Sequence, residues 1–174
     1  MFVEMTTLRY PEKLTALLQQ KPSQKRRLVA TLMLLIASAV AGVSVADGQP
    51  QPPLRTVVLS VGGVPLVTEL AVTPGERQRG LSYRKVLDEN AGMLFVYQQE
   101  RPLIFTMRET SIPLSIAFIS EQLEIIEILT MEPFAQENYP SSRPARYALE
   151  VNAGWFKANG VKAGAKINLQ AANK

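Results

Sequence analysis

The residues best suited to chemistry are charged and hydroxyl side chains that stand beside apolar runs of the sequence. Residues 101–120 contain two alternating apolar runs, 103–107 and 114–119, which flank a polar turn at residues 108–111. Polar groups next to core strands are typical of small-molecule binding pockets. The turn and two neighbouring segments supply six candidates for binding a small polar or anionic ligand: Arg84, Arg108, Glu109, Thr110, Arg146 and Glu150.

A structural role is the alternative for two of these candidates. In the alternating stretch from residue 146 to residue 151, Arg146 and Glu150 share one strand face. They lie about 13 Å apart along the strand, because a strand advances about 3.3 Å per residue. They are therefore not predicted to pair directly, and each needs another partner if it is buried. Charge-assisted hydrogen bonds that tie down neighbouring loops would also explain both residues.

The sequence contains no cysteine and no histidine, which narrows the possible chemistry. Disulfides, Ser-His-Asp and Cys-His catalysis and most zinc or copper sites require these residues. No acidic string has the spacing of a calcium loop. We therefore predict no catalytic residue, no metal site and no cofactor. A hydrolase that acts on envelope carbohydrate through paired carboxylates stays open as an alternative. Its candidate carboxylates are Glu109, Glu124, Glu127 and Glu150.

The positive charge of the chain is concentrated near its N-terminus. The 174 residues carry a formal net charge of +4. Residues 1–46 contain six basic and two acidic residues and account for the whole excess, so residues 47–174 are neutral overall. Counterion release at basic surfaces supplies most non-specific affinity for nucleic acid. A neutral folded part therefore argues against a nucleic-acid partner.

The N-terminal part has the pattern of an export signal or a membrane anchor. After a polar lead at residues 1–24, three basic residues precede an uncharged apolar run from Leu28 to Val45. A basic flank stays in the cytoplasm, which predicts that the remainder is exported to the periplasm. The small residues that end at Ala46 fit a cleavage site, whereas an uncleaved run would anchor the chain in the membrane by one N-terminal apolar helix. Residues 25–46 are thus a signal peptide or an anchor.

The exported part is predicted to be one domain behind a short linker. Residues 47–53 (DGQPQPP) form the linker, because prolines remove backbone donors and the glutamines bury nothing. Residues 54–170 form a globular β domain with no internal repeat. The predicted fold is mainly β, a small antiparallel sandwich or barrel-like domain with two short helices.

Capping residues predict where the two helices begin. Thr73, Pro74 and Glu76 have the spacing of a capping box with proline in the first turn. The arginines and the lysine that follow, at residues 77, 79, 84 and 85, form either a solvated face or an anion-binding patch. Asn152 is expected to cap the second helix, in which Trp155 and Phe156 would anchor the helix to the core.

Five sequence motifs resemble those of the family known as domain of unknown function 192. They are RGLSYR at residues 79–84, GMLFV at 92–96, FTMRETSIPLSIAFI at 105–119, IIEILTMEP at 125–133 and PARYALEVNAGWFKANGVKAG at 144–164. The resemblance covers roughly residues 56–169. It implies a small, mainly β sandwich or barrel-like domain with short helices, often behind an export signal. It implies no activity.

The central motif departs from the family pattern at three positions. The family usually has Phe-Trp-Met-Lys-Asn-Thr, whereas this chain has Thr106, Arg108 and Glu109 in place of Trp, Lys and Asn. Glutamate for asparagine replaces a neutral donor and acceptor by a negatively charged acceptor. A family site that used the Trp or the Asn would take a different ligand here or would be lost.

These patterns favour an exported envelope protein that binds a small polar or anionic ligand or a partner chain. The turn at residues 108–111 and the long loop at residues 131–144 would border the site. An enzyme is the less favoured interpretation. A third interpretation is a non-catalytic accessory protein that docks to an envelope complex through an exposed apolar patch.

Overall fold

A computed structural model describes residues 48–169 of the chain. The predicted polar lead and the predicted signal peptide or anchor lie outside the described residues. Within residues 48–169, no helix is long and apolar enough to cross a membrane.

Nine strands and two short helices make up the described part of the chain. Their bounds, in chain order, are β1 (Thr56–Val61), β2 (Val64–Ala71), α1 (Pro74–Arg79), β3 (Ala91–Arg101), β4 (Ile104–Thr106), β5 (Leu114–Ile119), β6 (Ile125–Met131), β7 (Asn138–Pro140), β8 (Ala145–Asn152), α2 (Trp155–Ala158) and β9 (Ile167–Leu169). The prediction of a mainly β domain with two short helices is confirmed.

Seven of these strands form one curled sheet in the order β6-β5-β8-β3-β2-β1-β9. The curl brings the β6 end of the sheet next to the β9 end. The backbone N–H of Ile125 donates to the carbonyl of Ala165, and that of Ile167 donates to the carbonyl of Leu123, each at 2.9 Å. These bonds satisfy part of the backbone that an open sheet edge would leave unpaired. The architecture is a curled half-barrel whose two sheet edges meet at these residues.

The prediction that the sheet is antiparallel throughout is wrong at one pair of strands. Strands β2 and β3 run parallel, with Leu70 opposite Leu94. A parallel pair requires a crossover connection, and the segment between the two strands supplies it with α1. Gly92 allows β3 to approach β8, since a Cβ there would lie 2.7 Å from the carbonyl oxygen of Glu150. The crossover lays α1 against β3, where the Arg77 guanidinium donates to the carbonyl of Val96 at 3.0 Å.

The predicted capping box at the start of α1 is confirmed. The Thr73 hydroxyl accepts from the backbone N–H of Glu76 at 3.2 Å, and the Glu76 carboxylate accepts from the N–H of Thr73 at 2.8 Å. These bonds satisfy two donors that a helix start leaves open. The helix ends at Gly80, whose φ of +50° is in the range that favours glycine.

The predicted cap of α2 is wrong. Gly154 occupies the cap position and has no capping side chain, and its N–H donates to the hydroxyl of Ser115 at 3.1 Å. The Asn152 amide instead donates to the carbonyls of Leu87 and Asp88, at 3.1 and 2.9 Å. Asn152 therefore holds the loop before β3 instead of capping α2.

A second layer covers one face of the sheet. Strands β4 and β7 form a separate two-stranded sheet, in which Phe105 lies opposite Tyr139. The Phe105 ring packs edge-on against Phe95 of β3 and Phe118 of β5, with centroids 4.8 and 5.8 Å apart. All residues of β8 except its last are buried, because its other face points into the curl of the sheet. The second layer leaves space over β3 and β8 for the site described next.

The predicted linker is not entirely solvent-exposed. Gln51 is buried, and its side-chain amide donates to the carbonyls of Gly80 and Glu76, at 2.8 and 3.2 Å. The expectation that this glutamine buries nothing is wrong, because the carbonyls at the end of α1 need donors that the helix itself cannot supply.

Candidate binding site

A cavity of about 260 Å³ lies between the sheet and the layer that covers it. Its walls come from α1 and the turn that follows, from β3, from β4, and from single residues of the polar turn and of β8. Sites for drug-sized ligands have volumes of about 300–1,000 Å³. The cavity therefore suits a molecule smaller than those.

The β8 residue on the cavity wall is Glu150, one of the sequence candidates. Its side chain lies between Met93 of β3 and Ile116 of β5, which are its directly opposite residues on the two neighbouring strands. Both neighbours are completely buried and apolar, and Glu150 itself is 5% exposed. Within residues 48–169, no hydrogen bond or ion pair joins the Glu150 side chain to another residue.

The apolar surroundings of Glu150 determine its protonation state. Burial raises the pKa of the Glu150 carboxyl from 4.5 to about 8. An ionised carboxylate without a partner is costly to bury, so the group keeps its proton instead. At neutral pH the cavity therefore contains a carboxylic acid, which can donate one hydrogen bond and accept others.

A hydroxyl and a phenol stand near this acid. Thr110 of the polar turn is buried, and its backbone is fixed by bonds to Met107 and Phe134. Burial raises the pKa of Tyr97, which also lines the cavity, and the charge of Glu150 contributes in the same direction. Thr110 and Tyr97 therefore add neutral hydrogen-bonding groups to the site.

Two arginines of α1 form the positively charged part of the wall, and they differ in how far they are engaged. The Arg77 guanidinium donates to the carbonyls of Val72 and Val96 and lies 4.8 Å from the ring centroid of Tyr97. Arg79 lies 5.5 Å from the ring centroid of Tyr83, and within residues 48–169 its guanidinium has no hydrogen bond or ion pair. Arg77 is thus part of the scaffold, whereas the donors of Arg79 are available.

Of the six sequence candidates, Thr110 and Glu150 line this cavity together. Arg84 instead forms a bidentate ion pair with Glu69, with N–O distances of 2.5 and 2.8 Å. Arg146 is buried and forms an ion pair with Glu121.

The remaining two candidates lie at the surface. The Arg108 guanidinium is 3.4 Å from the carbonyl of Gln136, and the exposed Glu109 carboxylate accepts from the hydroxyl of Tyr83. Neither side chain lines the cavity.

The sequence candidates did not include Arg79 and Tyr97. The cluster of arginines around residue 79 was a usable signal, since an anion-binding patch was one interpretation of it. The sequence does not indicate a binding role for Tyr97, because this residue ends an apolar run that is typical of a core strand.

The carboxyl groups of the described chain do not form a metal or paired-acid centre at the cavity. No group of three or more acidic side chains within residues 48–169 could hold a metal ion. Among the described residues, Glu150 is the single carboxyl on the cavity wall. The geometry offers recognition by hydrogen bonds and charge.

Comparison with known proteins identifies relatives of the same fold. No functionally curated protein shows significant similarity to the chain. A crystal structure from Sinorhizobium meliloti 1021, described as a proposed transcription regulator, is 31% identical, covers 68% of this chain and 97% of its own, and has a TM-score of 0.66. A protein of unknown function from Novosphingobium aromaticivorans DSM 12444 is also 31% identical, covers 76% of this chain and 93% of its own, and has a TM-score of 0.63.

The family itself is established by a match over most of the folded part. The family model of domain of unknown function 192, described as "Uncharacterized ACR", matches residues 57–169. The match covers β2 to β9 and all but the first residue of β1, and it includes Thr110 and Glu150, the two sequence candidates that line the cavity. The chain belongs to the family of domain of unknown function 192.

Proposed function

We propose that this domain binds a small polar molecule in the cavity lined by Glu150, Thr110 and Arg79. The observation that supports the proposal is the unpartnered carboxyl of Glu150. Buried polar groups in folded proteins are nearly always hydrogen-bonded. The Glu150 carboxyl has no hydrogen bond or ion pair to another described residue and opens on the cavity, so a ligand bound there can supply its hydrogen bonds.

The proposal is also supported by contrast with the other charged groups. Arg84 and Arg146 each have a carboxylate partner, so a structural role accounts for them. The hydrolase alternative has less support, since a glycosidase mechanism uses two carboxyls about 5–10 Å apart across the scissile bond. Over the described residues, the cavity offers one.

We further propose that the domain acts outside the cytoplasm, in the cell envelope. Support comes from the sequence, in which a basic flank precedes the uncharged run from Leu28 to Val45. An alkaline phosphatase fused after Lys174 tests this, because that enzyme folds where disulfides form. Activity is expected in the fusion and is expected to be lost when residues 28–45 are deleted. Equal activity with and without those residues would contradict export.

A thermal-shift screen tests the binding proposal. The full chain in mild detergent is heated with sugars, amino acids, carboxylic acids and amines. A compound at one hundred times its Kd stabilises the protein by about 2.7 kcal/mol, which raises Tm by several degrees. We expect one class to do so, and we expect the shift to shrink in Glu150→Gln and Thr110→Val.

The surface candidates provide matched controls for this screen. Arg108→Ala and Glu109→Gln change polar residues of the same turn as Thr110 but outside the cavity, so the shift should persist in both. A screen with no shift in well-folded protein would contradict the proposal. So would a shift of equal size in the cavity and the control variants.

A further inference from the structure

The cavity wall includes one acidic side chain, Glu150, and one cationic side chain with available donors, Arg79, and these two do not pair with each other. Arg79 and Glu150 both line it, yet no ion pair within 4.0 Å joins them. We propose that the ligand is a small zwitterion, whose ammonium group pairs with Glu150 and whose carboxylate pairs with Arg79. This inference rests on the proposed function and narrows it to a chemical class.

The acidic end of the cavity favours an amine. Burial holds a proton on the Glu150 carboxyl, whose pKa is raised to about 8. When an ammonium group arrives, the carboxyl can give its proton to solvent and become a carboxylate that faces a cation. No covalent bond forms, and one O–H bond of Glu150 breaks as one proton leaves. The resulting charge-assisted bond is roughly twice as strong as a neutral one.

The basic end of the cavity favours an anion. Arg79 keeps its guanidinium donors available, and a guanidinium fork matches the two oxygens of a carboxylate. Arg77 is less suited to this role, since it already donates to two backbone carbonyls. A ligand carboxylate is therefore assigned to Arg79.

A ligand with a single charge can form a charge-assisted bond with only one of the two side chains, Arg79 or Glu150. A simple anion would pair with Arg79 but would leave Glu150 as a neutral acid without a hydrogen-bond partner from the ligand. A simple cation would pair with Glu150 but approach Arg79 with like charge, which is unfavourable in a partly desolvated cavity. A neutral polyol would leave the charge of Arg79 without a counterion. A zwitterion satisfies both.

The groups that face Glu150 support a proton-linked event. The strands on either side contribute Met93 and Ile116, which cannot titrate. Strand β3 also contributes Tyr97, whose pKa is raised by burial, so it stays neutral near pH 7. From the covering layer, α1 contributes the cations Arg77 and Arg79. Within the described residues, the titration of the cavity near neutral pH is therefore that of Glu150.

The test uses a graded series of zwitterions with matched compounds of one charge or none. The probes are glycine, 3-aminopropanoate, 4-aminobutanoate and 6-aminohexanoate, which differ in the separation of their charges. Each is matched by the amine, the carboxylate and the diol of the same chain length. Isothermal titration calorimetry of the full chain in detergent at pH 7 gives the Kd of each probe. Titrations in two buffers that differ in ionisation enthalpy give the number of protons released, and each buffer is first titrated into the protein to measure its own competition for the site.

We expect one length of zwitterion to bind at least about tenfold tighter than its single-charge counterparts, because a hydrogen bond to a charged group contributes about 1.5–3 kcal/mol. Binding should release about one proton, since Glu150 is protonated before the ligand arrives. Arg79→Gln should reduce the affinity of the zwitterion to that of the matched amine. Glu150→Gln should reduce it to that of the matched carboxylate and abolish proton release. Arg108→Ala should change neither quantity.

Two outcomes would overturn the inference, and they differ in what they say of the proposed function. If a diol or a single-charge compound binds as tightly as every zwitterion, and the cavity variants weaken it, the binding function stands and the zwitterion is wrong. If no probe binds and the thermal-shift screen is also flat, both the function and the inference are wrong.

Discussion

The two ends of strand β8 carry side chains of opposite charge that are equally buried but differ in whether they have a partner. Arg146 and Glu150 share one face of the strand and are 6% and 5% exposed. Arg146 forms an ion pair with Glu121, whereas no residue between 48 and 169 pairs with Glu150. Burial of a charged group is therefore not in itself evidence of a site. The presence or absence of a partner separates a structural group from a candidate for binding.

The neighbours of β8 explain the difference. The turn after β5 passes beside the start of β8 and supplies the carboxylate of Glu121 to Arg146. At the other end, the register of the sheet places the apolar Met93 and Ile116 beside Glu150, and the covering layer leaves a cavity above it.

The largest effect is expected from neutralising Glu150. Its folded-state pKa, about 8, lies above its ordinary value of 4.5. The folded state therefore binds more protons between these values, so the free energy of unfolding falls as pH rises from about 4.5 to about 8. Glu150→Gln should remove this loss and be more stable than the parent at pH 9 by on the order of 5 kcal/mol, since one pKa unit corresponds to about 1.4 kcal/mol.

Urea unfolding at pH 5, 7 and 9 measures this effect, with the fluorescence of Trp155 as the signal. Trp155 is the sole tryptophan of the chain and is buried. The exposed Glu109→Gln serves as the matched control and should follow the pH profile of the parent. Parallel profiles for the parent and Glu150→Gln would show that Glu150 is not held neutral.

The paired end of β8 should respond in the opposite direction. Arg146→Met removes a side chain that is 7% exposed together with its ion pair to Glu121. We expect a loss of about 2–3 kcal/mol in the free energy of unfolding at pH 7, because a buried arginine contributes packing as well as charge. Ligand binding should be retained once the variant is folded. Loss of binding with unchanged stability would place Arg146 in the site.

The Glu69–Arg84 pair provides a carboxyl with the reverse pH response. Burial raises the pKa of Glu69, but the hydrogen bond and charge of Arg84 and a hydrogen bond from Leu54 outweigh it, so the net pKa is lowered. The stability that this pair contributes is present above the ordinary value of 4.5 and is lost as pH falls through the lowered pKa.

Glu69→Gln should therefore destabilise the protein by about 1–2 kcal/mol at pH 7, because the pair is largely buried. The deficit should shrink as the pH falls through the lowered pKa of Glu69, because the parent carboxylate then takes up a proton as well. Urea unfolding at pH 7 and at a series of lower pH values measures it. A deficit that grows on acidification would contradict the assigned pair.

The smallest effect is expected at the surface of the polar turn. Arg108→Ala removes one hydrogen bond of 3.4 Å from an exposed side chain. Its free energy of unfolding should stay within about 0.5 kcal/mol of the parent, as is usual for surface substitutions. Ligand affinity should also be unchanged. A large loss of affinity would extend the site beyond the cavity to this turn.

Local patterns in the sequence were sufficient to predict the family, the mainly β fold and the start of α1. The capping box at Thr73 depends on residues three apart, and strand alternation depends on residues two apart. The face shared by Arg146 and Glu150 was predictable for the same reason. Such features need no knowledge of where the rest of the chain lies.

The partners of these residues were not predictable, because they depend on register and topology. Arg84 pairs with Glu69 only because a parallel crossover, which the sequence did not suggest, follows β2. The same crossover brings Arg79 to the cavity wall opposite a strand about seventy residues later. The alternation of apolar and polar residues in β8 likewise predicted that Glu150 lies on the same strand face as Arg146. It could not predict that Met93 and Ile116 stand beside it.

Titration of Glu150 itself shows directly whether its carboxyl is unpartnered in the free protein. The carboxyl carbons of the ¹³C-labelled full chain are followed by NMR from pH 4 to pH 10, with Glu150→Gln to assign the resonance. An unpartnered buried acid should titrate with a midpoint near pH 8 in the free protein. A midpoint at or below about 4.5 would show that the carboxyl is already paired or solvated, and would contradict the assignment of the cavity as a binding site.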